Sequence, residues 1–184
     1  VVYTKDVNDI DSVNFIYVAM LTLSYDANGG EGEMTPQLFP QTLSMPLDSN
    51  LFVRKGYTFD GWNTAPDGSG FRYEDQQSVA ITESITLYAQ WRINSYEVCF
   101  DANGGEGEMP CQRYEHGVSQ NLNENIFIRD GYVFVCWNTD PHGAEVSYED
   151  AQNITITQDM TLYAIWHEND ENMENGHAYV DLGL

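Results

Sequence analysis

The feature that most constrains this chain is an internal repeat with a spacing of 75 residues. Residues 26–34 (DANGGEGEM) recur unchanged as residues 101–109. Aligning residues 25–91 on residues 100–166 gives 34 identical pairs in 67 positions, with no insertion or deletion. Two segments this similar are expected to adopt the same fold, so the sequence predicts two tandem modules rather than one large core.

Each copy carries the alternation of apolar and polar side chains that is typical of β-strands. The alternation runs through residues 21–25, 57–61 and 85–91 and, in the second copy, through residues 96–100, 132–136 and 160–166. Residues 37–52 and 112–127 are less periodic, and we place a further strand and one short helical turn in each. The sequence therefore predicts an α+β fold that is predominantly β, with an all-β fold as the alternative.

The spacing of the repeat also predicts the domain organisation. We place repeat 1 at residues 21–92 and repeat 2 at residues 96–167, joined by a linker short enough to restrict the angle between them. Residues 1–20 are predicted to be an N-terminal strand segment, a remnant of an upstream repeat. Residues 168–184 are predicted to be an acidic linker followed by the start of a further module or by a terminal strand. Because the sequence begins with a valine, we expect a processed protein or a piece of a longer one.

The charge balance excludes two classes of partner. The chain has 29 acidic and 7 basic residues, which gives a formal net charge of −22. Such a chain is repelled by phosphate backbones and by anionic lipid, so we expect no nucleic-acid partner. The longest apolar run has seven residues, 15–21, whereas a membrane-spanning helix needs roughly 20. We therefore expect no membrane insertion either.

The three cysteines, Cys99, Cys111 and Cys136, all lie in the second copy. Their number is odd, and no two of them have the close spacing of a zinc site. Strand alternation places Cys99 and Cys136 on opposite faces, which argues against a bridge between these two. Cys111 lies in a predicted loop and could pair with Cys99 or with another molecule. Free thiols are the expected state.

The acidic glycine-rich loop raises the question of a calcium site, because Asp26 and Asn28 have the spacing that begins an EF-hand loop. An EF-hand loop requires glycine at its sixth position and glutamate at its twelfth. Here those positions are Glu31 and Gln37. The loop is therefore predicted to be a hairpin turn with solvated acids, and no metal site is expected.

Paired acidic residues raise the question of a glycosidase, which needs two carboxylates facing each other across a cleft. The repeated pairs 74–75 and 149–150 are adjacent in sequence, at the end of a predicted strand. A module of this size rarely holds a deep cleft, and no catalytic triad or phosphate-binding loop is present. The sequence therefore predicts a protein that is not an enzyme and that needs no cofactor.

Three motifs in each copy resemble those of the Listeria–Bacteroides repeat, also called the internalin B-repeat. They are residues 26–30 (DANGG), 56–64 (GYTFDGWNT) and 85–91 (ITLYAQW), matched 75 positions later. The second copy departs from the pattern at Cys136, which replaces a glycine, and at Asp130, which replaces Lys55. The resemblance implies β-grasp-like modules strung in tandem on bacterial surface and secreted proteins, where they act as spacers or as adhesive, receptor-engaging elements. It implies no catalytic residues.

A difference between the copies predicts a contact surface. Thr58 and Asp60 point away from the predicted core, and their counterparts are Val133 and Val135. Strands that are apolar on both faces tend to be covered on both sides, so we predict that the two valines contact something outside their own repeat. Most shared aromatic residues are predicted to be core rather than a sugar-binding platform. Tyr88 and Tyr163, which share an outward phase, are the better candidates for a contact.

These predictions combine into a functional hypothesis. We expect a non-enzymatic extracellular repeat module, on a cell surface or secreted, that acts as a spacer and as an adhesion or receptor-contact element. Its partner would be a host or cell-surface protein or a glycan. The alternative is self-association, in which the alternating residues 179–184 add as a strand to the open sheet edge of another subunit of a surface filament.

Overall fold

The structure, a computed structural model, describes residues 2–3, 15–16, 18–41 and 43–169. The chain divides into two compact units, with the boundary between Asn94 and Ser95. Every regular element of the described residues is a β-strand. The predicted α+β class is therefore wrong for this part of the chain, and the all-β alternative fits. The described residues contain no helix of the length and apolarity that a bilayer crossing needs.

Nine strands are seen among the described residues of the first unit. They are β1 (Val2–Tyr3), β2 (Phe15–Ile16), β3 (Met20–Asp26), β4 (Gln37–Pro40), β5 (Met45–Pro46), β6 (Tyr57–Asn63), β7 (Arg72–Tyr73), β8 (Ser78–Val79) and β9 (Ile85–Ile93). Strands β1 and β2 pair antiparallel within the predicted N-terminal segment. Residues 1, 4–14 and 17 of that segment lie outside the described residues, as do residues 170–184, which hold most of the predicted acidic linker and terminal strand.

A five-stranded mixed sheet forms the centre of the first unit. Its strand order is β4-β3-β9-β6-β7, and β5 and β8 form a separate two-stranded ribbon. Strands β3 and β9 are parallel, whereas the other neighbouring strands are antiparallel. In residues 37–41 and 43–52 the predicted helical turn is absent, because this stretch supplies the short strands β4 and β5, which pair with β3 and β8.

The second unit repeats this plan. It contains β10 (Ser95–Asp101), β11 (Gln112–Glu115), β12 (Gln120–Asn121), β13 (Tyr132–Asn138), β14 (Ser147–Tyr148), β15 (Asn153–Ile154) and β16 (Met160–Glu168). The sheet order is β11-β10-β16-β13-β14, with β12 and β15 as the ribbon. Here too the predicted turn in residues 112–127 is replaced by short strands, β11 and β12.

The core of each unit surrounds one tryptophan, Trp62 or Trp137, which is 0% exposed. The ring of Trp62 lies 4.8 Å from that of Tyr25 and 4.9 Å from that of Phe59, measured between centroids. The matching distances around Trp137 are both 4.9 Å. These aromatic residues therefore pack in the core, as the sequence predicted.

The two adjacent glycines of each loop are required for different reasons. Gly29 has a φ of +84°, a conformation that L side chains rarely adopt. At Gly30 a Cβ atom would lie 2.6 Å from Cζ2 of Trp91, and at Gly105 it would lie 2.7 Å from Cζ2 of Trp166. The first glycine therefore permits the turn, and the second permits the tryptophan to pack against it.

The departure from the repeat pattern at Cys136 changes the backbone locally. In the first unit the register between β6 and β9 shifts between Phe59 and Trp62, with Gly61 at a φ of +100°. In the second unit the shift lies between Phe134 and Cys136, and Cys136 pairs with Ile165. A cysteine replaces glycine here because the second bulge does not need the left-handed conformation.

Candidate contact surface

Three of the four predicted contact residues lie on neighbouring strands of the second unit. Val133 and Val135 lie on β13 and are 48% and 54% exposed. Val133 pairs with His167 of β16, and Tyr163, which is half-buried, lies further back on the same strand. Tyr88, the fourth predicted residue, lies on β9 of the other unit and is also half-buried. We define the outer face of repeat 2 as Val133, Val135, Tyr163, Ile165 and His167.

Sequence reasoning missed Ile165, although it shows the same change from a polar residue in repeat 1 to an apolar residue in repeat 2 that identified the valines. Its counterpart in repeat 1 is Gln90, whose side chain donates to the carbonyl of Tyr88 at 3.2 Å. Ile165 lies on β16, next to the valine-bearing strand β13, and Gln90 lies on the equivalent strand β9, next to β6. Comparing the copies position by position along that strand would have found it.

The matching positions of repeat 1 are polar and make hydrogen bonds within their own unit. The hydroxyl of Thr58 donates to Oδ1 of Asn94 at 2.7 Å. The carboxylate of Asp60 forms an ion pair with Nη1 of Arg72, with 3.2 Å between the two atoms. The same fold therefore carries a polar outer face in one repeat and a more apolar one in the other.

The acidic loop that suggested calcium makes turn contacts instead. Oδ1 of Asp26 accepts a hydrogen bond from the backbone N–H of Asn28 at 2.7 Å, and Asp101 accepts one from Asn103 at 2.8 Å. This is the local turn that Asp favours. The side chain of Asn28 then donates to the carbonyls of Pro66 and Ala89, so the loop is tied to two other segments.

The aspartate of each acidic pair that suggested a glycosidase makes structural contacts as well. Oδ1 of Asp75 accepts hydrogen bonds from the backbone N–H of Asn50 at 3.0 Å and from the indole of Trp62 at 3.4 Å. In repeat 2 Asp150 accepts from the N–H of Asn125 at 2.8 Å and from the indole of Trp137 at 3.4 Å. In both repeats this carboxylate fastens a loop to the core tryptophan.

The expectation of free thiols is wrong for two of the three cysteines. Cys99 and Cys111 form a disulfide, whereas Cys136 is free and half-buried. The register explains the pairing, because Val98 of β10 lies opposite Gln112 of β11 and the next pair outward is Cys99 and Cys111. Carboxylate oxygens of Glu97 and the two sulfurs lie within 4.8 Å of one another, but disulfide sulfurs are not the thiolates that bind metals.

Two tyrosines, the half-buried Tyr25 and the buried Tyr114, have raised pKa values. Burial, with smaller contributions from the charges of Asp48 and Asp75, raises the pKa of Tyr25 to about 12. Its hydroxyl donates to Oε1 of Gln37 at 2.8 Å and accepts from the N–H of Asp48 at 2.9 Å. Burial also raises the pKa of Tyr114 in repeat 2. Both groups are neutral at physiological pH, and neither lies on the outer face defined above.

Comparison with known proteins gives a family match to both repeats. The model of the Listeria-Bacteroides repeat domain matches residues 22–90 and again residues 96–165. A Gly-rich membrane protein of Evansella cellulosilytica is 39% identical over 132 residues, which is 66% of this chain and 15% of that protein. Internalin H of Listeria monocytogenes is 34% identical over 120 residues, 64% of this chain and 20% of that protein.

A second membrane protein of Evansella cellulosilytica is 30% identical over 159 residues, 83% of this chain and 23% of that protein. The chain therefore spans between 15% and 23% of the length of these relatives.

Proposed function

The chain belongs to the Listeria-Bacteroides repeat domain family, and we propose that it is a non-enzymatic repeat segment of a bacterial surface or secreted protein. In this proposal each repeat is a separate folding unit that adds length as a spacer. The exposed face of repeat 2 supplies an adhesive contact to a host or cell-surface protein or glycan.

One observation carries the proposal: the buried residues that the repeats share build the fold, whereas several positions that are exposed in repeat 2 differ, such as Val133 and Val135 against Thr58 and Asp60. Asn28 and Asn103 each tie their loop to two carbonyls, and Asp75 and Asp150 each anchor a loop to a tryptophan. These contacts hold loops in place in both copies, which supports a structural role for the shared polar residues. We infer that the shared residues are kept because each copy must adopt the same fold, whereas exposed residues are free to vary with the contact that each copy makes.

Two further observations support a location outside the cytoplasm. The Cys99–Cys111 disulfide is a bond that persists in oxidising compartments and is rare in the cytosol. The relatives named above include two membrane proteins and an internalin. We infer that this chain too belongs to the exposed part of a surface or secreted protein.

The proposed contact is tested by giving repeat 2 the residues that repeat 1 carries. The double variant Val133→Thr with Val135→Asp is expected to fold with a stability within about 0.5 kcal/mol of the parent, because both side chains are exposed. Its binding to arrays of glycans and of surface proteins should be lost. The matched control is Val146→Ser, which removes another exposed valine of the same unit and should leave binding intact.

Array binding that is unchanged in the folded double variant would contradict the contact. The filament alternative depends on residues 179–184, which lie outside the described residues. Light scattering separates the two functions. A monomer at all concentrations favours the spacer, whereas oligomers that disappear when residues 179–184 are removed favour assembly.

A further inference from the structure

The edge strands of the two sheets differ in a way that affects binding. Strand β4 of repeat 1 and its equivalent β11 of repeat 2 each lie at the end of the sheet order. An edge strand presents unpaired N–H and C=O groups to which an extended chain can add, and proteins often block such edges with proline. Whether an edge is open depends on which of its residues point their backbone groups outward.

The hydrogen bonds of the neighbouring strand show which residues these are. The N–H of Glu97 on β10 donates to Oδ1 of Asp159, which lies just before β16 on the side away from β11. Backbone groups alternate along a strand, so residues 96 and 98 face β11 and bond to their register partners Tyr114 and Gln112. Residues 111, 113 and 115 therefore point their N–H groups away from the sheet.

The same reasoning applies to repeat 1, where the N–H of Thr22 donates to Oγ of Ser84. The outward positions there are residues 36, 38 and 40. Two of them are Pro36 and Pro40, which have no N–H to offer. Their counterparts in repeat 2 are Cys111 and Glu115, which do. Counted by outward N–H groups, the edge of repeat 1 is blocked at two of three positions and the edge of repeat 2 is open at all three. The carbonyl of Glu115 already accepts a hydrogen bond from the N–H of Val118 at 3.1 Å, so this residue offers its N–H alone.

Two further features of this edge suit it to binding. A groove of about 470 Å³ borders it, lined by Arg113, Glu115, Val118 and Gln120. Val118 is 46% exposed and offers the groove an apolar contact. The Cys99–Cys111 disulfide fixes the beginning of β11 to β10, so the edge is held in an extended conformation before a ligand arrives. Within the described residues no strand pairs with the outer side of β11.

We propose that the open edge of β11 is a strand-addition site for an extended, net-basic segment of a partner protein. Main-chain hydrogen bonds to residues 111, 113 and 115 would supply affinity, as in other cases of strand addition. The net charge favours a basic partner, because residues 95–169 contain thirteen acidic and two basic side chains. One of the two, Arg113, lies on this edge, so the partner's basic side chains are placed opposite Glu115 and not opposite Arg113. A second copy of this acidic chain would be repelled. We expect the partner strand to place a basic side chain opposite Glu115 and an apolar side chain beside Val118.

This inference goes beyond the proposed function, because the edge of β11 is separate from the outer face of Val133 and Val135. The proposed contact at the outer face and the proposed strand addition at β11 can therefore be disproved independently of each other. The outer-face variant Val133→Thr with Val135→Asp should leave binding at the edge unchanged, whereas variants of the edge should leave the outer face unchanged.

The probe is a synthetic peptide of seven residues that alternates lysine and valine, titrated into the full chain. The control peptide has proline in place of valine, so it carries the same charge but cannot pair as a strand. We expect chemical-shift changes and slowed amide exchange at Arg113 and Glu115 with the first peptide, and at least tenfold weaker binding of the second.

The decisive variant is Glu115→Pro, which gives repeat 2 the residue that repeat 1 carries at this position. Because repeat 1 has the same fold with a proline there, the variant is expected to fold, and it should weaken peptide binding at least tenfold. The matched control Glu115→Ala keeps the N–H and should bind within about threefold of the parent, since a single exposed charge contributes little. Should Glu115→Pro not fold, amide exchange of the parent chain with and without peptide decides the question.

Three results would overturn the proposal. Equal binding of the two peptides would reduce the interaction to charge attraction alone. Undiminished binding by folded Glu115→Pro would place the peptide elsewhere. A dimer joined through β11 in the absence of peptide, detected by light scattering, would make a second copy the occupant.

Discussion

Asn28 and Asn103 make the same pair of hydrogen bonds in the two repeats. Asn28 donates through Nδ2 to the carbonyls of Pro66 at 2.8 Å and Ala89 at 2.9 Å. Asn103 donates to those of Pro141 at 2.7 Å and Ala164 at 3.0 Å. Both residues have a positive φ, 46° and 47°, which asparagine tolerates better than most residues. One side chain thus joins the glycine loop to two other segments of each unit.

Replacing either asparagine should therefore destabilise its own repeat. We expect Asn28→Ala to lower the free energy of unfolding of repeat 1 by about 2 kcal/mol, because two carbonyls lose a donor and alanine is strained at this φ. Asn28→Gly relieves the backbone strain but still lacks the two hydrogen bonds, so it should lower the free energy of unfolding by less than Asn28→Ala. Denaturant unfolding followed by amide signals of each repeat measures both, and an equal loss in repeat 2 would contradict independent units.

The second glycine of each loop predicts a steric effect. Gly30→Ala and Gly105→Ala should each destabilise their repeat by about 1–3 kcal/mol, because the new methyl group would overlap the ring of Trp91 or Trp166. The indole N–H of Trp91 donates to the carbonyl of Ala27 at 2.9 Å, so the ring is not free to move away. Thermal unfolding measures the loss. Gly117→Asn, at a positive φ with open space around it, is the tolerated control.

Reduction should affect the two repeats differently. The Cys99–Cys111 disulfide closes a loop with a sequence separation of 12, for which chain entropy predicts about 3 kcal/mol of stabilisation. Repeat 1 has Ser24 and Pro36 at these positions. Dithiothreitol should therefore lower the unfolding midpoint of repeat 2 alone. The double variant Cys99→Ser with Cys111→Ser should reproduce the effect and abolish any response to reductant.

Alkaline pH should weaken repeat 1 through Tyr25. Its pKa is raised to about 12 in the folded state, chiefly by burial, from 10.0. The folded state then holds this proton more tightly than the unfolded state, so the stabilisation is complete below pH 10 and is lost between pH 10 and 12. Tyr25→Phe, which copies Phe100 of repeat 2, should remove that part of the pH dependence. The free energy of unfolding should be measured from pH 9 to 12 in the parent and in Tyr25→Phe. A parallel loss of stability in both proteins would contradict the role given to Tyr25.

Much of the strand framework could be predicted from sequence. The alternation in residues 85–91 and 160–166 correctly predicted strands. The structure places both at the centre of their sheets, where each lies between two neighbours and buries one face. The helical turn in residues 37–52 was wrong because β4 and β5 are short and obtain their partners from β3 and β8, which no local pattern reveals. Strands of two to four residues carry too little periodicity to be recognised.

The candidate sites were only partly predictable for similar reasons. Comparing the copies identified Val133 and Val135 as exposed apolar residues, and the structure places them on the surface. The sequence left a Cys99–Cys111 pair open but did not select it. Only the register, with Val98 opposite Gln112, shows that Cys111, just before β11, lies opposite Cys99. The open edge of β11 also required the register, since only the register shows that Pro40 and Glu115 point outward.

The central claim is that one small folding unit is used twice and that its shared residues build shape rather than chemistry. The direct measurement is to express residues 18–94 and residues 95–169 separately and record amide spectra and cooperative unfolding of each. We expect two folded fragments whose core amide signals, including those around Trp62 and Trp137, match the signals of the full chain. A fragment that is unfolded by itself, with signals that become dispersed only when the other half is attached, would contradict the claim.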